Sequence, residues 1–358
     1  MKIIPNKIEY IHVELTDKCN AECPICVRRF QGGHLNPIIK QQEINLDFFK
    51  LFDDEFLKNV KRWNFCGVKG DCIASTSLLD IIKFLLEKSS SDVALELRTN
   101  GGYKSKEWWS NLGKLLKGTN SRVFWAIDGL EDTNHLYRKN VKWKKLWNNL
   151  MAYTESGGKS TWCYIPFKHN IHQKEEIQEL CKEYGIDFYL QTPHGFNTIV
   201  EGNKKYTQAI PVRNTDGEFL YFIEPVESEY EIKYNGKEKS ESFPISANTI
   251  YNFEEIKGKE YKINCKITNA KEEHFEELYI DSDGAIIPCC FIASRYDYGD
   301  NQLKKMIGDR KNIILSEKNS LENILANTYY SKGLGDGITG NLQGEKSYCN
   351  TCLGFCGE

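Results

Sequence analysis

Cys19-Asn20-Ala21-Glu22-Cys23-Pro24-Ile25-Cys26 is the stretch on which the reading of this chain turns. It is a CxxxCxxC triplet. It comes just after an alternating apolar run, Ile8 to Leu15, which predicts a strand. Three thiolates are one short of a closed zinc or iron–sulfur site, where four is the usual number. On a four-iron cluster, three cysteine ligands leave one iron open to a non-protein ligand, and an open iron is a reactive site. The competing reading is a zinc knuckle that borrows a distant fourth ligand. The strand context and the loops described next speak against it.

Working outward, short β-like runs alternate with amphipathic stretches through the first half. Strands are expected at Ile8–Leu15, Arg62–Cys66, Val93–Arg98, Val123–Ile127, Thr161–Phe167 and Asp187–Leu190. Between them, Ser77–Leu86 places Leu78, Ile81, Ile82, Leu85 and Leu86 on one helical face. Gln173–Tyr184 does the same with Ile177, Leu180, Cys181 and Tyr184, and Gly185 is a natural helix stop. Six such repeats predict an α/β fold with a parallel sheet and helical crossovers. Six units fall short of the eight of a closed barrel, so the expectation is an open, partial (β/α)6 TIM-like barrel.

Polar and glycine-rich segments follow each strand. They are the triplet, Gly67-Val68-Lys69-Gly70-Asp71, Thr99-Asn100-Gly101-Gly102, Asp128-Gly129, His169-Asn170 and Thr192-Pro193-His194. In parallel α/β folds, reactive groups gather at the C-terminal ends of the strands. Six segments on one face imply one site.

Residues 196–262 break this rhythm and read as a bridge or insertion with some β structure, strand-like at Phe219–Ile223 and Tyr230–Tyr234. Farther on, Glu277–Ile280 and Ala285–Ile287 flank Asp281-Ser282-Asp283-Gly284, a hairpin signal. A helix is expected at Ser320–Tyr330, with Ser320 as N-cap. The expected division is a barrel over 1–195, the bridge over 196–262 and a small α+β domain over 263–358.

Of 358 residues, 40% are apolar and 27% charged, the balance of a globular protein, with net charge −3. The absence of a Lys/Arg run and the near-neutral charge argue against nucleic acid as partner, and no apolar stretch approaches a membrane span. Met1-Lys2-Ile3-Ile4-Pro5 has no signal-peptide core, so a cytoplasmic location is expected. Thirteen cysteines in a reducing compartment favour metal or catalytic roles over disulfides. Three open the chain, six lie between Cys265 and Cys356, and Cys66, Cys72, Cys163 and Cys181 are scattered between, which suggests a metal site at each end.

The triplet, its place after the first strand, and the later loops together resemble the radical S-adenosylmethionine (radical SAM) enzymes. The resemblance covers nearly the whole chain, least clearly 196–262. It implies that Cys19, Cys23 and Cys26 hold a 4Fe–4S cluster whose open iron chelates the amino and carboxylate groups of SAM. Ile25 stands where the family often has an aromatic residue near the adenine. Gly67, Gly70 and Asp71 resemble the segment that receives the SAM ammonium, although the usual Gly-Glu-Pro reads Gly70-Asp71-Cys72 here. Asp128-Gly129 with Arg138 resembles the family's Asp-Gly…Tyr-Arg pattern, with Ala126 in place of the usual serine; Arg138 suits the SAM carboxylate. Thr99, Asn100 and Asn170 would then bond the ribose, and His169 and His194 would face the substrate.

Cys265, Gly284-x₄-Cys289 with Cys290, Cys349-Asn350-Thr351-Cys352 and Cys356 resemble the auxiliary-cluster domain (SPASM/twitch) of the same enzymes. The tail has too few cysteines for the two-cluster form. The short twitch form is therefore implied, with one auxiliary 4Fe–4S cluster on Cys265, Cys289, Cys349 and Cys352, and Cys290 or Cys356 as substitutes. A Cys₄ zinc site uses the same spacing.

The resemblance further implies reductive cleavage of SAM to a 5′-deoxyadenosyl radical. That radical takes a hydrogen atom from a peptide or small-molecule substrate, giving oxidation, cross-linking or epimerisation. A one-electron donor such as flavodoxin or ferredoxin is required. Cys19 comes too early for a leader-binding domain to precede the first strand. Cys66, Cys72, Cys163 and Cys290 are candidate hydrogen donors for an epimerase. The other readings are a zinc-stapled binding module and a catalytically inactive, cluster-binding relative.

Overall fold

The structure, a computed structural model, describes residues 5–237, 263, 265, 268–269, 274–297, 299–339 and 352. Six strands run parallel in chain order: β1 (Tyr10–Val13), β2 (Arg62–Phe65), β3 (Ala94–Thr99), β4 (Arg122–Ala126), β5 (Ser160–Tyr164) and β6 (Asp187–Leu190). Each lies within about three residues of its expected place, and in β2, β3 and β4 the alternation that marks the strand in sequence is the alternation of its burial. In β3, Leu95, Leu97 and Thr99 are buried while Ala94, Glu96 and Arg98 are half-buried on the other face. The registers step evenly, Tyr10 beside Arg62, Arg62 beside Ala94, and Glu96 beside Arg122.

Helices Leu78–Lys88, Lys106–Leu116, Trp143–Glu155 and Lys174–Glu183 make the crossovers. The first buries Leu78, Ile81, Ile82 and Leu85 against the sheet, the stripe the sequence marks. Ser105 caps the second by accepting from Trp108 N. Gly185 sits at φ +64° after the fourth, a left-handed stop that glycine adopts freely. Trp109 and Trp125 are fully buried with ring centroids 4.5 Å apart, and they fix that helix layer to the sheet.

In the bridge, Phe219–Ile223 and Glu231–Lys233 appear as expected, but three further strands were not expected: Thr198–Glu201, Lys204–Gln208 and Ile210–Arg213. The first two form a hairpin around Gly202 with no fully buried residue, so it lacks the buried alternation that reveals a strand. Residues 238–262 lie outside the described residues.

After the bridge, β7 (Glu277–Ile280) and β8 (Ile286–Ile287) form the expected hairpin around Asp281–Gly284. That hairpin joins the main sheet: β7 pairs parallel with β1, Tyr10 beside Glu277 through Val13 beside Ile280. The sheet order is therefore β8-β7-β1-β2-β3-β4-β5-β6. It is open, with β6 and β8 at its edges, as a partial barrel requires.

The expected helix at 320–330 is shorter than its pattern. Ser320 caps it by accepting from Asn323 N, but it ends at Leu325. Asn327 Oδ1 then accepts from Tyr329 N, a local side-chain bond that competes with the helix, before a π-turn at Tyr329–Gly333. Among the described residues no helix is long and apolar enough to cross a membrane.

Candidate active site

Loops leave the C-terminal ends of β1 to β6 side by side, and contacts join them in series. The loop after β1 carries the triplet. Cys23 is buried, and Cys19 and Cys26 are half-buried. N–H donors point at the sulfurs: Ala21 N and Asn100 Nδ2 each lie 3.4 Å from Cys19 Sγ, and Arg138 Nη1 lies 3.7 Å from Cys23 Sγ. Arg28, also buried, donates to the carbonyls of Asp17 and Lys69, the latter at 2.6 Å, and to Cys19 O at 3.4 Å. It thereby ties the triplet to the loop after β2.

Burial pushes the Cys26 thiol up to about 11, with the neighbouring Cys23 sulfur adding to the effect. Burial raises Cys19 and Cys23 as well. Thiolates in this setting need a cationic partner, and a coordinating metal removes the proton outright. Among the described residues no three His, Cys, Asp or Glu side chains converge on a single-ion position. The three sulfurs are instead neighbours in one another's field. Three thiols ringed by amide and guanidinium donors suit a multi-iron cluster, whose ligands commonly accept hydrogen bonds at sulfur.

Glu14, at the end of β1, shapes the loop after β2. Its carboxylate accepts from Val68 N (2.6 Å), Lys69 N (2.8 Å) and Gly70 N (2.9 Å). Burial pushes this carboxyl up to about 8, although Lys69 and those amides pull the other way. Gly70 packs onto the Thr16 backbone and Gly67 onto the Gly70 carbonyl, where a Cβ on either would overlap main-chain atoms. The glycines are needed for close approach rather than for a special φ.

The Asp71 carboxylate is buried and engaged inside the protein. It accepts from Ile73 N (3.0 Å), Thr99 Oγ1 (2.9 Å) and Asn100 N (2.8 Å), bracing the β2 loop against the β3 loop. Thr99 Oγ1 also accepts from Gly101 N at 3.0 Å. Asn100 Nδ2 reaches both Cys19 Sγ and Asn20 Oδ1, so this side chain lies directly against the triplet. Asp71→Ala leaves two amides and a hydroxyl without an acceptor. It is expected to destabilise the chain by about 3 kcal/mol, given roughly 1–3 kcal/mol per orphaned buried group. Asp71→Asn keeps one acceptor oxygen and should lose less, a ranking that urea unfolding reads directly.

After β4, Asp128 Oδ2 accepts from Arg138 Nε at 2.5 Å and Oδ1 accepts from Ile165 N at 2.7 Å. Burial raises the Asp128 carboxyl, with the guanidinium and the amide pulling partly the other way. Arg138 thus bridges the β4 loop to Cys23. Asn170, after β5, donates from Nδ2 to Asp128 O (3.0 Å) and Ile165 O (2.9 Å) and accepts from Phe167 N (2.6 Å). Its amide is committed to holding loop backbone, so the residue expected at the ribose is placed as a brace. His169 stacks on Phe167 at 5.4 Å, near His135 and His172, and burial lowers it to about 4. His194 lies in the field of Arg138 on the loop after β6. In that loop Gly195, at φ +89°, lies so close to Ile25 that a Cβ would meet its Cγ2 at 2.8 Å.

Sequence reasoning missed Glu14, Arg28 and Lys69. Glu14 did leave a signal: it is the lone acid within the apolar run Ile11–Leu15. Lys69 is 6% exposed, with its Nζ 2.7 Å from Asp281 Oδ2 and 2.8 Å from Asp297 Oδ2. Burial disfavours its charge, but those two carboxylates outweigh it and its pKa is raised. Arg310 closes the network on Asp281, Asp283 (2.6 Å) and Asp297 (3.3 Å). The β2 loop is thereby bolted to the hairpin turn and to the helix Cys290–Asp297.

Of the C-terminal cysteines, Cys265 and Cys289 are half-buried in each other's field and Cys352 is buried. Cys349 and Cys356 lie outside the described residues. Cys163 and Cys290 both lie in the field of Cys66, whose thiol burial pushes up to about 12. Cys72 is fully enclosed with Sγ 3.5 Å from Arg98 O, a core position.

The chain is similar in structure to SuiB of Streptococcus suis, with TM-score 0.53 at 14% identity over 93% of this chain and 68% of SuiB. SuiB bound to its precursor peptide SuiA matches with TM-score 0.51 at 14% identity, over 93% of this chain and 66% of SuiB. The structure of anSMEcpe with bound AdoMet and the Kp18Cys peptide matches with TM-score 0.50 at 9% identity, over 97% of this chain and 94% of that one. The chain thus spans about two thirds of the length of SuiB. No family model and no curated protein sequence matches it. At such identities the likeness is one of fold: a mixed α/β architecture built on a large parallel sheet.

Proposed function

We propose that this chain is a radical SAM enzyme acting on a peptide or small-molecule substrate. The observation that carries the reading is the placement of Cys19, Cys23 and Cys26 on the loop after β1, with N–H donors from the loops after β3 and β4 aimed at their sulfurs. These three cysteines would hold a 4Fe–4S cluster. When bound, the cluster and SAM supply the one-electron cleavage that yields the hydrogen-abstracting 5′-deoxyadenosyl radical.

The chain's own residues bind and orient. Arg138, anchored on Asp128, keeps Nη2 without a protein partner among the described residues, and it offers that nitrogen to the SAM carboxylate. The Gly67–Asp71 turn, fixed by Glu14, offers main chain to the ammonium. Ile25 and Gly195 give the adenine an apolar surface, and Thr99 and Asn100 stand near the ribose. Asp71 and Asn170 hold these loops in register.

Cys265, Cys289, Cys349 and Cys352 would hold a second 4Fe–4S cluster in a twitch-type domain over 263–358, after a bridge over 196–262. The adjacency of Cys265 and Cys289 supports that assignment. The peptides bound by SuiB and anSMEcpe favour a peptide over a small molecule. Cys66, Cys163 and Cys290 are the hydrogen donors if the outcome is epimerisation. An oxygen-sensitive cluster suits a reducing cytoplasm.

Iron and acid-labile sulfide in anaerobically reconstituted protein test this, together with the electron paramagnetic resonance signal of the reduced cluster before and after SAM is added. About eight of each per chain and a spectrum that changes with SAM are expected. Stoichiometric zinc with little iron would make the chain a zinc-stapled module instead.

A further inference from the structure

Beside the triplet, between the N-terminal ends of helices Lys106–Leu116 and Trp143–Glu155, lies an open hollow of about 400 Å³. Lys104, Lys106, Lys142, Lys144 and Lys145 line it, with Asn149 at its floor. Lys106, Lys142, Lys144 and Lys145 are exposed, and none of the four pairs with a carboxylate among the described residues. Glu107, the adjacent acid, turns back onto its own amide and Ser105. Lys104 donates to Ser75 O at 2.8 Å and forms the inner wall. In a chain of net charge −3, five gathered lysines are a local inversion of sign.

The floor of this hollow is also the support of the triplet. Asn149 Nδ2 donates to Gly101 O (2.8 Å) and Tyr103 O (3.1 Å). Gly102 packs against Asn20, the residue after Cys19. Asn140, two positions before Lys142, donates from Nδ2 to Asn20 O at 2.9 Å. Asn149, the 101–103 backbone and Asn20 thus link the floor of the hollow to the cysteine loop.

We propose that this hollow is the docking surface for an acidic one-electron donor protein, of the flavodoxin or ferredoxin kind, which reduces the cluster held by the triplet. The inference rests on the function proposed above. In the exchange the donor loses one electron and is oxidised by one, and the cluster gains it; no bond or proton moves. Long, unpaired, exposed lysines suit a small, fast, salt-sensitive encounter, the kind that redox partners make. Adjacency to the cysteine loop is what electron delivery needs, and it is what favours a redox protein over another polyanion.

The test uses the full chain, wild type and Lys106→Glu/Lys144→Glu/Lys145→Glu, with an acidic flavodoxin as probe. Flavodoxin affinity is titrated at low and high salt, on iron-loaded and iron-free protein. The rate of cluster bleaching is then compared between reduced flavodoxin and dithionite. The triple variant is expected to bind flavodoxin at least about tenfold more weakly at low salt, to be bleached correspondingly more slowly by it, and to match wild type with dithionite. Unchanged affinity and flavodoxin rate overturn the proposal. So does a variant that loses binding of a polyglutamate peptide or a DNA oligonucleotide while keeping flavodoxin. A wild-type chain that takes up no iron defeats the proposed function instead, and flavodoxin binding to the iron-free chain tells the two failures apart.

Discussion

Replacing Cys19, Cys23 and Cys26 together with alanine is expected to abolish SAM cleavage while leaving a folded chain. The sulfurs sit on a loop, and only Cys23 belongs to the buried core, so their loss removes ligands and little core. Free cysteine packs as a small hydrophobe, and each truncation should cost about 1 kcal/mol or less in the iron-free protein, the ordinary scale of a point change. Loss of activity should exceed the roughly 10–100-fold that follows from altering groups behind a metal's direct ligands. Iron content should fall by one cluster, with the remaining iron assigned to the C-terminal cysteines. Circular dichroism and iron analysis of one preparation separate this from simple unfolding.

The second large effect is expected at Lys69. In Lys69→Met the fully enclosed carboxylate of Asp281 and the mostly buried one of Asp297 lose their ammonium partner. Breaking a buried pair from one side typically costs about 3–5 kcal/mol, because the remaining charge stays desolvated. Arg310 still reaches both carboxylates, so the expected loss is near the lower end, about 3 kcal/mol. Adding Asp297→Asn should recover part of it, since one stranded charge is then removed. Urea unfolding of the single and double variants checks the coupling. A loss that Asp297→Asn deepens would contradict it. The same change frees the Gly67–Asp71 turn from the hairpin, so SAM affinity should fall along with stability.

What the sequence reveals follows from which forces are local. The strands β2, β3 and β4 were legible because each has one buried face, and β5 because its run Ser160–Tyr164 is buried throughout, while the crossover helices show their apolar stripe at helical spacing. The triplet stands out in the chain because three thiols at fixed spacing follow a strand, and the fold places all three on the loop after β1. The exposed hairpin at Thr198–Gln208 was not, since neither face is buried enough to impose a pattern. Nor was the role of Lys69: a lysine among glycines looks solvated, and its partners lie 212 and 228 residues away. Asp71 and Asn170 were read as ligand contacts because their type and position suit that task; only the folded loops reveal the amides and hydroxyl that engage them. The lysine hollow escaped notice for a similar reason. Its members come from two segments that the fold, not the chain, brings together.

Reductive cleavage of SAM is the reaction expected of the triplet. Its most direct test is the quantity of 5′-deoxyadenosine released when the reconstituted chain is incubated anaerobically with SAM and dithionite. Release by the wild-type protein, with methionine in equal amount, is expected, and none by the triplet variant. A wild-type chain that carries its clusters and binds SAM yet releases no 5′-deoxyadenosine would contradict it.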